Sequence, residues 1–106
     1  MSEVVSYSVG DLLKLLRKER GQKLQLQVGL PPRLVIKRED FEVEGPPITR
    51  EIADALLRSV ADSRQIRAFR ERGVITFFFE FDRSRFFVRA VEKDGNVRLL
   101  LNLVTA

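Results

Sequence analysis

Cysteine and histidine are both absent from the 106-residue chain. Disulfides are therefore impossible, and zinc sites built on thiolate or imidazole are excluded. Ser-His and Cys-His nucleophilic pairs lack their parts, as do His-based proton transfer and haem attachment through the common ligands. A carboxylate-bound Mg²⁺ or Ca²⁺ stays open in principle, but no carboxylates are spaced for one. The densest acidic run is Glu39-Asp40 with Glu42 and Glu44. Glu42 and Glu44 share one strand face there and read as a solvated edge. No cofactor is expected. No apolar run nears the roughly 20 residues of a membrane span, so no membrane insertion is expected. Met1 to Val5 lacks the basic start and apolar centre of a secretory signal. A cysteine-free chain fits the cytoplasm, the expected location.

What is present suits one globular domain, residues 1–106. Hydrophobic residues make up 44% and charged residues 32% of the chain, enough for a modest core and ordinary for a soluble protein. Net charge is +4, with Arg far outnumbering Lys. Such a balance permits nucleic acid or acidic lipid as a partner. The basic residues are spread along the sequence and not gathered into a stripe, which argues against both.

Local patterns give an element order. Ser8 to Arg20 reads as a helix: Ser8 caps, Asp11 sits three residues on, and Val9, Leu12, Leu13 and Leu16 form the apolar stripe. Gly21 is the expected left-handed stop. Lys23 to Val28 alternates as a strand with one wet face, and Gly29-Leu30-Pro31-Pro32 breaks it. Arg33 to Lys37 and Phe41 to Glu44 read as two short strands around a turn near Glu39-Asp40. Thr49 caps a second helix carrying Ile52, Leu56, Leu57 and Val60. A third helix spans about Ser63 to Arg72 and ends at Gly73. Strands follow over Val74 to Phe81, Arg85 to Val91 and Val97 to Val104, with Asp94-Gly95 a strong hairpin signal. The order α-β-β-β-α-α-β-β-β points to an α+β fold, a mostly antiparallel six-stranded sheet with three helices on one face.

The last three strands carry phenylalanines and leucines of both parities. Phe77, Phe79 and Phe81 oppose Phe78; Phe86 opposes Phe87; Leu99, Leu101 and Leu103 oppose Leu100 and Val104. Two explanations are open: helices or loops cover both faces, or one face is an apolar patch for a partner or a second copy.

The segment Lys23-Leu24-Gln25-Leu26-Gln27-Val28-Gly29-Leu30-Pro31-Pro32-Arg33-Leu34 resembles the start of the type IV pilus retraction ATPases, where a helix leads into Ser-Asp-Leu-His-Leu-x-x-Gly-x-Pro-Pro and then a strand. Pro47-Ile48-Thr49 and Gln65-Ile66-Arg67-Ala68-Phe69 are similar to the family's Pro-Leu-Thr helix and its Gln-x-x-x-Phe segment. Ile75 to Phe81 and Arg85 to Arg89 resemble its Phe-rich strand and its Arg-Phe-Arg-Val strand. The likeness runs from about residue 8 to 104 and implies the family's N-terminal, PAS-like α+β domain.

The departures bear on function. The family's Asp and His fall at Lys23 and Gln25, and its Asp-Gly turn is replaced around Lys37-Arg38. The resemblance implies arginines that reach toward nucleotide held by the motor domain. They fall at Phe87 and, in an ungapped alignment, at Asn102; Arg85 and Arg89 stand nearby but offset. No Gly-x-x-x-x-Gly-Lys-Ser/Thr occurs, so the phosphate cradle needed for ATP hydrolysis is missing and no enzyme is expected. The starting Met favours a natural short protein.

The expectation is a non-catalytic interaction or regulatory module tied to type IV pilus motility or secretion. Its partner would be a pilus motor ATPase, a motility regulator or a second copy. The candidate contact residues are Phe78, Arg83, Arg85, Phe87, Arg89 and Leu100. One alternative is a small-ligand or nucleotide sensor, with an acidic messenger meeting Arg83, Arg85 and Arg89. Another is single-stranded nucleic acid stacking on Phe78 and Phe87, against which Glu80 and Asp82 stand.

Overall fold

A computed structural model of the chain describes residues 7–104; the signal-sequence reading of residues 1–5 lies outside them. The elements are α1 (Val9–Lys18), β1 (Lys23–Gln27), β2 (Arg33–Ile36), β3 (Glu39–Glu42), α2 (Arg50–Val60), α3 (Ser63–Arg72), β4 (Val74–Phe81), β5 (Ser84–Lys93) and β6 (Asn96–Val104). The fold is α+β in the expected order.

Each helix begins where a side chain accepts from an orphan backbone N–H. Ser8 takes the N–H of Asp11 at 3.3 Å, Thr49 that of Ile52 at 3.1 Å and Asp62 that of Gln65 at 2.8 Å. The Gln65 side chain accepts the Asp62 N–H in return at 2.9 Å, closing a reciprocal capping box. Gly73 ends α3 with φ 77°. The end of α1 departs from expectation: Arg20, not Gly21, takes the left-handed conformation, with φ 57°. Gly21 is needed for space. It is buried, and a Cβ there would strike Leu16 Cδ1 and lie 3.2 Å from Ile36 Cγ1.

The six strands lie in the order β3-β2-β1-β6-β5-β4, all neighbours antiparallel. β1 and β6, distant in sequence, pair at the centre with Leu24 opposite Leu101. Three hairpins turn on two residues that both have positive φ: Lys37-Arg38 (52° and 70°), Asp82-Arg83 (49° and 65°) and Asp94-Gly95 (52° and 79°). These are type I′ turns, whose twist suits the flanking strands. The first corrects the turn that the local pattern puts near Glu39-Asp40, and it falls where the family resemblance places a turn, at Lys37-Arg38. β2 stops at Ile36, and β3 starts at Glu39 and ends at Glu42.

The core sits on one side of the sheet. Alternation sends Leu24, Leu26, Leu34, Phe86, Val88, Leu99 and Leu101 to that side, and all are buried. They meet Val9, Leu12, Leu13 and Leu16 of α1, Ala53, Leu56, Leu57 and Val60 of α2 and Phe69 of α3. Phe77, Phe79 and Phe81 pack against this cluster. Each fully buried side chain of this size stabilises by about 1.5–3 kcal/mol. Helices this short hold mainly through that packing. No strand residue of the opposite parity is buried in β1, β2, β4, β5 or β6. The helices therefore cover one face, and the other lies open among the described residues. No described helix is long and apolar enough to cross a membrane.

Candidate functional site

The open face is a grid of three rows. Phe78 lies opposite Phe87, which lies opposite Asn102, which lies opposite Lys23. One row over stand Thr76, Arg89, Leu100 and Gln25; on the other side, Glu80, Arg85 and Val104. The strands fix these positions because a one-residue slip would turn the core leucines outward.

An aromatic pair occupies the centre. The Phe78 and Phe87 rings meet edge to face, with centroids 5.4 Å apart and planes at 62°, worth about 0.5–1.5 kcal/mol beyond area burial. The Arg85 guanidinium carbon sits 4.5 Å from the Phe78 ring centroid, a cation–π contact worth about 0.5–1 kcal/mol where exposed. Its Nε lies 3.9 Å from Glu80 Oε1, and both groups are well exposed, so that ion pair adds little. Phe78 remains 53% exposed despite these neighbours. Phe87 and Leu100 are half-buried.

The face is mixed, not uniformly apolar as the leucine and phenylalanine parities suggest. Arg85, Arg89, Arg98, Gln25 and Asn102 stand among the rings and Leu100, with Val74 and Val104 each 40% exposed at its margins. Aromatics and arginines around a small apolar centre are the side chains that protein interfaces favour. Five of the six candidate contact residues, Phe78, Arg85, Phe87, Arg89 and Leu100, share this face. Arg83 does not; it lies in the Asp82-Arg83 turn beyond it. Arg98 and Val74 belong to the face but were not singled out from the sequence. Their parity relative to Leu100 and Phe78 was the available signal.

The four side-chain departures from the retraction ATPase pattern converge here. Phe87 and Asn102, where that pattern implies arginines, are direct cross-strand neighbours. Lys23 is the next residue across from Asn102, and Gln25 lies opposite Leu100. Positions as far apart in sequence as Lys23 and Asn102 thus meet on one surface.

Neither a protein-family model nor a curated protein matches the chain. Solved structures do. The pilus retraction motor PilT, crystallised with ADP, superposes with a TM-score of 0.86 at 21% identity, over 95% of this chain and 30% of that one. The Legionella pneumophila ATPase DotB gives 0.82 at 14% identity, over 100% of this chain and 31% of that one. The Yersinia pseudotuberculosis ATPase DotB gives 0.75 at 9% identity, over 98% and 32%. At these identities the likeness is one of fold, and the chain spans less than a third of each ATPase. The resemblance to the N-terminal domain of the retraction ATPases, seen in short motifs, thus extends to the complete arrangement of helices and strands.

Proposed function

We propose that this domain is a non-catalytic docking module of the pilus and secretion ATPase kind, acting in the cytoplasm, and that its open sheet face seats a motor ATPase of that class. The observation that carries the reading is the convergence of Lys23, Gln25, Phe87 and Asn102 around the exposed Phe78 ring. A face made for phosphate puts cationic or N–H donor groups at its centre. Here the centre is a pair of rings, and the arginines stand around it. That exchange favours an apolar anchor with a polar rim, the anatomy of a protein contact. The fold similarity to ATPase chains three times longer supports a motor as the occupant.

The test is a fluorescence-anisotropy titration of the labelled chain with a purified retraction or secretion ATPase, followed with and without nucleotide. Saturable binding is expected, with no ATP hydrolysis by the chain alone. A titration that never saturates over the micromolar range overturns the reading.

A further inference from the structure

Carboxylates gather along one edge of the sheet and arginines beside the other. β3 forms one edge of the sheet, and all four of its residues are exposed. Along this edge Phe41, 45% exposed, stands on the helix side with Glu39, opposite the buried Leu34, while Asp40 and Glu42 alternate to the open side and Glu44 follows beyond the strand. Only Glu42 has an ion-pair partner within 4.0 Å among the described residues: Arg33, at 3.8 Å. Lys37 and Arg38 sit at the tip of the hairpin, so Asp40 to Glu44 leads away from them.

β4 forms the other edge, and α3 packs beside it. The exposed arginines 64, 67, 70 and 72 of α3 and Arg58 in the last turn of α2 form no ion pair among the described residues. Arg58, Arg67 and Arg70 border a shallow depression with the half-buried Ile66 on its floor. The sequence order hides this separation; the sheet order β3-β2-β1-β6-β5-β4 creates it.

We infer that a second copy of this chain docks head to tail, its acidic edge 39–44 against the α2–α3 arginines, with Phe41 over Ile66. Charge complementarity picks the occupant. Each copy carries both surfaces, each has an apolar residue beside its charges, and the unpaired carboxylates of one meet the unpaired arginines of the other. A nucleic acid backbone would match the arginines but offers nothing for Ile66. Because the two surfaces differ, the contact is heterologous and can propagate into a ring or a filament.

Sedimentation or light scattering over a concentration series decides the matter. At roughly 20 mM salt the mean mass should climb above the monomer. At about 0.5 M salt, where screening shortens the Debye length below 5 Å, it should return to the monomer. R67E/R70E and D40K/E44K should each weaken self-association by about tenfold or more, with circular dichroism unchanged. Mixing the two variants should restore association, since each keeps one intact surface. Phe78→Arg should leave self-association untouched, which separates this contact from the one on the open face. A monomer at low salt throughout would mean that the β3 carboxylates only blunt a sheet edge, and would overturn the inference. So would association that persists in high salt, or variants that fail to complement each other.

Discussion

Arg17 in α1 and Asp82 in the β4–β5 turn are joined twice. One guanidinium nitrogen, Nη1, donates to the Asp82 carbonyl oxygen at 2.7 Å and to its carboxylate at 2.8 Å. Asp82 has φ 49°, so the helix holds a turn that a non-glycine residue enters reluctantly. The two side chains are 39% and 57% exposed, and solvent discounts the charge contribution. Arg17→Ala should still cost about 1 kcal/mol in urea unfolding, mostly through the bond to the carbonyl. No change in midpoint would show the turn to be self-sufficient.

The Lys37-Arg38 turn has no such clamp among the described side-chain bonds, and both residues sit at positive φ. Replacing the pair with Asn-Gly should stabilise the domain by about 1 kcal/mol, because both new residues accept the left-handed region. The same exchange at Asp82-Arg83 should gain less, since it removes the carboxylate that Arg17 holds. Equal gains at the two turns would contradict the role given to Arg17. Thermal midpoints of the two variants supply the comparison.

Gly21→Ala should destabilise by about 1–3 kcal/mol, the usual cost of an extra methyl in a closed core. The added carbon would collide with Leu16 and crowd Ile36. A neutral result would mean that α1 can lift off the sheet without penalty. Chemical denaturation measures it.

The Tyr7 hydroxyl donates to the Pro46 carbonyl oxygen at 2.6 Å, and desolvation by burial pushes its pKa above the ordinary 10.0. The folded state therefore keeps the phenol protonated where the unfolded chain would lose the proton. This stabilisation is complete below about pH 10 and falls away as pH rises through the higher folded value. Tyr7→Phe should cost about 1 kcal/mol at neutral pH and should flatten part of the alkaline loss. An alkaline unfolding curve identical to that of the parent chain would refute the assignment.

Much of this fold is written locally. Thr49, Gly73 and Asp94-Gly95 mark boundaries that the structure keeps, because caps and tight turns act over three or four residues. The Asp62–Gln65 capping box is equally local, an Asp three residues before a Gln. The stop at Arg20 and the turn at Lys37-Arg38 could not be read in this way. Side chains that ordinarily avoid positive φ occupy it there, and packing of Gly21 under Leu16 and the β2–β3 register decide the matter. Phe78, Phe87 and Leu100 were legible as one face by parity alone. Its mixed character follows from Arg89, Arg98 and Asn102, which meet them only once β4, β5 and β6 are set side by side.

Substitution at Phe78, read by anisotropy against the motor ATPase, tests the docking proposal most directly. Phe78→Arg should weaken binding by at least about tenfold, as loss of a central interface anchor does, while the circular dichroism spectrum and unfolding midpoint stay near those of the parent. Phe41→Arg, on the exposed β3 edge away from the Phe78–Phe87 pair, should bind the ATPase as before. Undiminished binding by the Phe78 variant, or equal loss from the Phe41 variant, would contradict the assignment of the open sheet face as the docking surface.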